Sequence, residues 1–502
     1  MRLRRRQQPL SIESNAQGPI TNLPYDVLRE IFIHCRPQFP LWQPFPEEAP
    51  LLLCRICSSW RRVALTIPSL WMHFACCITT QEVNDGTGAR WGVLKTHVEV
   101  VRFWKKNHGS IPPYISIVVR YNHIRHREPA FPEHLLDMNG LDFILTYLMS
   151  AQHLDASMFI WERFRERLDT GAHVSFPNLH TVVGGQEYNW PSNPFYTTQL
   201  LLGQASKNAP SPLRRLRLEE SVYPNINVIP NHWSTLTHIS MTDMSIPHDF
   251  WFSLIRSVPE LQWGSFRIDQ MFSIDEEEME YTEPTIQCTL PRLGTFHLDY
   301  YEQEECILED HPISFLFTGL RLPALRTLGL SANHSKSWRN SDVITEVSTI
   351  LKSTPSVTTL FLGPSFLSFT ETDSFNLEDI SPQKIEPFWK VAPRLRHIQL
   401  ELVGSQSTGG PWAIQNAEEL NSLVQNALLS DEGWLDLSNP NCPITTITIF
   451  TNSFQCTDEY TKTYRRKLAK KNPCARLSVV SEFYSPNDAA EKEWEAWGRF
   501  NH

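Results

Sequence analysis

Four prolines stand 32 residues apart, at 259, 291, 323 and 355, and each opens one phrase: proline, one residue, then an apolar side chain. Counting that side chain as position 1, further apolar residues fall at positions 4 and 6. The triads are Leu293/Phe296/Leu298, Leu325/Leu328/Leu330 and Val357/Leu360/Leu362, while the copy that starts at Leu261 lacks a clean triad. Pro393 follows 38 residues later with Leu395/Ile398/Leu400, and Cys442-Pro443 leads a looser copy, Ile444/Ile447/Ile449. Upstream, Leu213/Leu216/Leu218 and Leu236/Ile239/Met241 keep the spacing, and Leu179/Val182 keeps part of it. Helix-like stretches such as Asp249 to Val258 and Asp342 to Thr354 run up to the prolines, which stop a helix and favour an extended residue before them. A short strand, a loop and a helix, repeated, cannot bury its apolar face alone. Stacked copies can, so the pattern predicts an irregular α/β strand-helix solenoid over residues 175–455.

The chain has 502 residues, too many for one compact core, and 41% hydrophobic against 20% charged residues puts it in the folded range. Lysine plus arginine number 45 against 55 aspartate plus glutamate, a formal charge of −10. A protein that grips phosphates usually has the opposite balance, so nucleic acid is not expected as a partner. Nor is a membrane, since no apolar run approaches the roughly 20 residues of a spanning helix. Arg2, Arg4, Arg5 and Arg6 are followed by polar residues where a signal peptide would be apolar, so secretion is not indicated. Ten scattered cysteines suit reduced thiols, and a cytoplasmic or nuclear location is expected.

Residues 1–19 lack periodicity and read as a flexible basic tail, either solvated or a nuclear-import signal. At Leu23 the character changes. Pro24 suits a helix N1 position, Asp26 suits the positive first turn, and Val27/Ile31 with Leu28/Phe32 form two adjacent i,i+4 pairs. A helix this short needs partners. They are expected in one helix from Leu51 to Ala64, with Leu53, Ile56, Trp60 and Val63 at 3-4-3 spacing, and in a short element at Ser69-Leu70-Trp71-Met72.

Leu23-Pro24, Val27-Leu28 and Ile31-Phe32, then Cys54-Arg55-Ile56-Cys57-Ser58-Ser59-Trp60-Arg61-Arg62-Val63-Ala64, then Pro68-Ser69-Leu70-Trp71, resemble the F-box family pattern, in particular the F-box-like proteins abundant in mushroom-forming fungi. The match spans about fifty residues, within a helical module over 20–75. It departs in the long proline-rich connection from His34 to Pro50. The resemblance implies a Skp-type linker protein as partner and, through it, a cullin. It further implies Leu23, Pro24, Val27, Leu28, Ile31 and Phe32 as the docking face, with Trp60 and Val63 supporting it. Trp60 and Trp71 can equally fill the module's own core. On that footing the chain is a non-enzymatic substrate-recognition adaptor of a ubiquitin ligase, the alternative being a scaffold that uses the module for binding only. Cys54-x-x-Cys57 also invites a zinc reading, completed by Cys35, His34, Cys76, Cys77 or His73. Two cysteines one helical turn apart beside an apolar stripe are read as packed thiols, and neither a metal nor a cofactor is expected.

The 1-4-6 spacing resembles leucine-rich repeats, although the asparagine such repeats carry recurs only at Asn333 and Asn452. In such strands the alternate residues face an open sheet surface. That set is polar and mixed in sign, including His238/Ser240/Thr242, Thr295/His297/Asp299, Thr327/Gly329/Ser331 and His397/Gln399/Glu401. Phe361 and Phe450 are its bulky exceptions, expected roughly 10 Å apart, and with His397 they are the candidate residues for an unknown protein target. Local packing under a loop is the other reading of the two rings. Residues 76–174 are less legible: a linker and a first strand-helix unit near Trp104 to Val119, then helices at Leu141 to Leu154 and Met158 to Leu168. Residues 456–502 read as a helical cap. Its basic helix, Asp458 to Lys471, could meet an acidic partner but is taken as a solvated face, and Asp275-Glu276-Glu277-Glu278 is taken as an exposed loop. No HExxH, GxSxG, GxxxxGK[ST] or GxGxxG motif occurs, so no catalytic residue is assigned.

Overall fold

In a computed structural model the protein is mixed α/β with a long, mainly parallel sheet. The structure describes residues 23–36, 47–84, 89–121, 136–184, 213–218, 231–269, 287–301, 313–333, 340–363, 386–402, 435–437, 439, 441–451 and 459–480. The Arg2 to Arg6 cluster, the 275–278 acidic run, Asn452 and residues 481–502 of the expected helical cap lie outside them. The chain forms two compact units, to Leu154 and from Asp155.

The first unit opens with α1 (Tyr25–His34), α2 (Leu51–Ile56), α3 (Ser58–Leu65) and a 3-10 turn, Pro68–Trp71. Pro24 is the N-cap of α1 and not its first helical residue. The single helix expected over 51–64 is broken at Cys57, whose extended backbone (φ −157°, ψ 169°) makes it the N-cap of α3. The break takes Ile56 out of the stripe shared with Trp60, and Ile56 is exposed. Next come β1 (His73–Asn84), β2 (Ala89–Leu94), α4 (Lys95–His108), β3 (Tyr114–Tyr121), β4 (Leu136–Asp137) and α5 (Gly140–Leu148). Strand β1 pairs in parallel with β3 and antiparallel with β2, which pairs antiparallel with β4. Gly109 ends α4 with φ 68°, a conformation that costs glycine little. Ile115, Ile117 and Val119 are buried as alternation predicted. Trp71 ties the helices to α4: its ring meets Trp104 at 5.1 Å, and its indole N–H donates to Ala64 O at 3.0 Å.

The helix expected over 141–154 stops at Leu148. The Gln152 N–H donates to Pro113 O at 2.8 Å, and the chain extends as β5 (His153–Ala156), which straddles the boundary of the units.

The second unit contains α6 (Met158–Asp169), β6 (Thr181–Gly184), β7 (Arg215–Leu218), β8 (His238–Pro247), α7 (His248–Ser257), β9 (Trp263–Asp269), β10 (Cys288–Thr289), β11 (Thr295–Tyr301), β12 (Leu320–Arg321) and β13 (Thr327–Asn333). It continues through α8 (Asn340–Ser353), β14 (Thr359–Leu362), α9 (Phe388–Val391), β15 (His397–Leu402), β16 (Thr446–Thr451), α10 (Glu459–Lys471) and β17 (Arg476–Val480). Apart from the separate pair β10 and β12, the strands from β6 to β17 lie side by side in sequence order, all parallel. Strand β17 lies in the stretch read as a helical cap, so the strand-helix alternation runs past residue 455.

The 32-residue period is the strand register. Trp263, Thr295, Thr327 and Thr359 are successive partners, and a file of backbone bonds repeats at each strand entry: Gly294 N to Gln262 O, Arg326 N to Gly294 O and Thr358 N to Arg326 O, each 2.8 Å. The prolines have a second role besides ending helices. In Val258-Pro259-Glu260-Leu261 and in its copies at 290, 322, 354 and 392, the fourth residue's N–H donates to the first residue's carbonyl at 3.0–3.4 Å. Proline is the second residue of each turn, where its fixed φ suits a β-turn. The complete apolar triads are buried. The incomplete one at Leu261 is repaired by its neighbour: a Cβ at Gly264 would collide with the Phe266 ring, which fills the space the missing side chain leaves. Phe266, Phe296 and Trp251 of α7 form an aromatic core, with Phe296 at 5.6 Å from Trp251 and 5.8 Å from Phe317.

Candidate functional site

Helix α1 carries two apolar stripes, and the fold buries one. Leu28 and Phe32 point inward, with the Phe32 ring 5.0 Å from that of Trp60. Val27 and Ile31 point outward, 43% and 39% exposed, and with Asp26, Glu30, His34 and Cys35 they line a shallow surface groove. Adjacent i,i+4 pairs on one helix are about 100° apart, so one flat layer of partners covers one pair and leaves the other in water. This corrects the expected docking face: Leu28 and Phe32 belong to the core. Pro24 is exposed, and Leu23, Trp60 and Val63 are half-buried.

The outer stripe sits on a fixed frame. The Tyr25 hydroxyl hydrogen-bonds Thr66 Oγ1 at 3.1 Å, joining the start of α1 to the end of α3. Arg36 donates to Ser69 O at 3.4 Å, holding the other end. Tyr25 and Leu52 are further exposed apolar residues, and so is Ile56, which the sequence places in the apolar stripe. Leu52 and Ile56 are themselves an i,i+4 pair, a signal the 53-56-60-63 stripe obscured.

Cys57 caps α3 with its thiol, which accepts the Trp60 N–H at 3.5 Å and hydrogen-bonds Ser59 Oγ at 3.0 Å. The Ser59 hydroxyl and then the Trp60 amide hold its pKa below the usual thiol value, whereas burial raises that of Cys54. Burial drives Cys76 up to about 12. Since the thiolate is the nucleophile, brief iodoacetamide treatment of the folded chain at pH 7.5 should alkylate Cys57 before Cys54, and Cys76 last of these three, read by peptide mass spectrometry. Equal labelling of Cys57 and Cys54 would contradict the cap. Among the described residues no three His, Cys, Asp or Glu side chains converge on a point that could hold a metal ion.

On the sheet of the second unit the expected open face is closed at its centre. His238, Ser240, Ser265 and His297 are all buried. His238 stacks on Trp263 at 6.5 Å, and Trp263 meets His297 at 6.4 Å. The His297 ring lies where a side chain at Gly329, its partner on β13, would stand. Arg267 pairs with Asp299 one strand on, at 2.9 Å. Phe361 and Phe450 are 1% and 9% exposed, with ring centroids 6.4 Å apart. They are buried packing residues and not surface anchors, because the two rings lean together across β15 instead of standing at the strand spacing. His397, at the start of β15, is exposed. The three residues therefore do not form one surface.

Among the described residues no helix is long and apolar enough to cross a membrane. The chain matches no family model, and a search of curated proteins finds no match to it.

Proposed function

We propose that the chain is a non-enzymatic adaptor whose helix α1 docks a Skp-type linker protein, and through it a cullin, while a strand-helix solenoid in the second unit holds a protein target. The observation that carries this reading is the outward stripe of α1, Val27 and Ile31 beside Pro24, left open on a helix whose other stripe is already filled. Covering two side chains already half withdrawn from water contributes roughly 1 kcal/mol each, so the stripe alone is an anchor and the rest must come from its surroundings. The F-box-like residues around it, Leu23-Pro24 through Pro68-Ser69-Leu70-Trp71, supply the identity of the partner. With Leu28 and Phe32 assigned to the core, the contact narrows to Pro24, Val27 and Ile31, flanked by Tyr25.

The test is affinity capture with the full chain. Wild type should retain both linker and cullin, and Val27→Glu with Ile31→Glu should weaken linker binding at least tenfold. Both positions face water, so the circular-dichroism melt should stay unchanged. Undiminished capture by the folded double variant would end the proposal. Linker retained without cullin would instead favour a scaffold outside ubiquitin transfer.

A further inference from the structure

Helix α10 crosses over β17 with Tyr464 and Leu468 buried beneath it and cations on the remaining surface. Lys462, Arg465, Arg466, Lys467 and Lys470 are exposed, as is Arg476 at the start of β17. Among the described residues no carboxylate lies within ion-pairing distance of any of the six, although acids outnumber bases in the chain as a whole. Lys462, Arg466 and Lys470 follow at i,i+4 steps, where like charges destabilise a helix. An unbalanced row of this kind is relieved by an anion from outside.

Arg465 narrows the mode of binding. The Arg476 N–H donates to Thr445 O at 2.8 Å, toward β16, so the next residue, Leu477, turns its carbonyl to the opposite edge. Arg465 Nε donates to that carbonyl at 2.7 Å. Strand β17 ends the strand order on this side, and Arg465 occupies its open edge, which discourages addition of a further strand. What remains is side-chain charge along the helix.

We propose that the outer face of α10, with Arg476, is a docking surface for an acidic, extended polypeptide segment. Lys462 to Lys470 spans about 12 Å in two steps of about 6 Å. Carboxylates at alternate positions of an extended chain recur about every 6.7 Å, so three of them fall opposite the three cations. Tyr464 is buried with Lys467 over its ring at 5.6 Å, and among the described residues of the helix no base-stacking platform is offered to a nucleic acid. With Leu468 also turned inward, the described part of the helix has no apolar face to insert into a bilayer. The surface is independent of α1 and stands whether or not that helix binds a linker.

The experiment titrates the full chain against a fluorescein-labelled eight-residue peptide of alternating Glu and Ser, read by anisotropy. Saturable binding is expected, weakened at least tenfold by Lys462→Gln, Arg466→Gln and Lys470→Gln together, and weakened also by raising salt from about 50 to 300 mM. The triple variant should melt no lower than wild type, because it removes repulsion. Lys352→Gln with Arg394→Gln, exposed cations elsewhere on the unit, should bind as wild type does. Absence of binding, or equal loss in that control, overturns the proposal. So does binding through the same three residues, as tight or tighter, of a twelve-nucleotide dT strand or of phosphatidylserine-phosphatidylcholine vesicles.

Discussion

Replacing Phe296 by alanine should cost the second unit about 3–5 kcal/mol, the range for truncating a fully buried phenylalanine. Phe296 is 1% exposed, and three rings, Trp251, Phe266 and Phe317, meet it within 6 Å. It occupies the middle triad position of its phrase, the site at which the preceding phrase has Gly264 and the following one Leu328. The neighbours cannot close the gap cheaply: Phe266 already fills the space at Gly264, and Trp251 is fixed on α7. Urea unfolding followed by far-ultraviolet circular dichroism should show the midpoint falling with little change in slope. A loss below about 1 kcal/mol would mean that the aromatic core is not formed as described.

Acid should weaken the same unit well before its carboxylates titrate, and His238 is the cause. Burial, and secondarily the charge of Arg215, lowers its pKa from 6.5 to about 3. Its ring is held by Thr237 Oγ1 at 2.8 Å and stacks on Trp263. Between pH 6.5 and about 3 the unfolded chain binds a proton at this site that the native chain refuses. Stability therefore rises with pH in this window: the contribution is complete above pH 6.5 and is lost progressively as pH falls toward 3. For this one group the loss from pH 7.5 to 5 is about 2 kcal/mol. Urea titrations of wild type and His238→Phe at the two pH values should show the variant losing less, since phenylalanine keeps the stack and cannot be protonated. An equal acid loss in both would rule His238 out. Burial lowers His97 and His108 in the same sense, so some acid sensitivity in the first unit should persist in the variant.

Much of the second unit was legible because its information is periodic. A triad with a proline two residues ahead names the strand, the turn and the buried face together, and a 32-residue interval names the partner of each residue. Strand β9 escaped because glycine stands at its middle position; the ring that compensates lies two residues away and is recognised only in space. Strands β1 and β2 escaped for a different reason: no repeat frames them, and Gln81, Glu82 and Asn84 dilute the apolar signal. In the first unit the apolar residues of α1 were read correctly, but not which of its two stripes faces inward. That depends on the break at Cys57, where a thiol takes the capping role usually filled by serine, threonine, aspartate or asparagine.

The amino-acid order thus determined where backbone can be helical or extended and which residues repeat in register, because these follow from local sterics and from periods of 2, 3.6 and 32 residues. The tertiary structure decided which of two equally apolar stripes stays in water, and it buried His238, Phe361 and Phe450 on a face that alternation had marked as open. Alternation reports only the side of a strand on which a residue lies. Whether that side meets solvent depends on packing between segments far apart in the chain, and no local pattern encodes it.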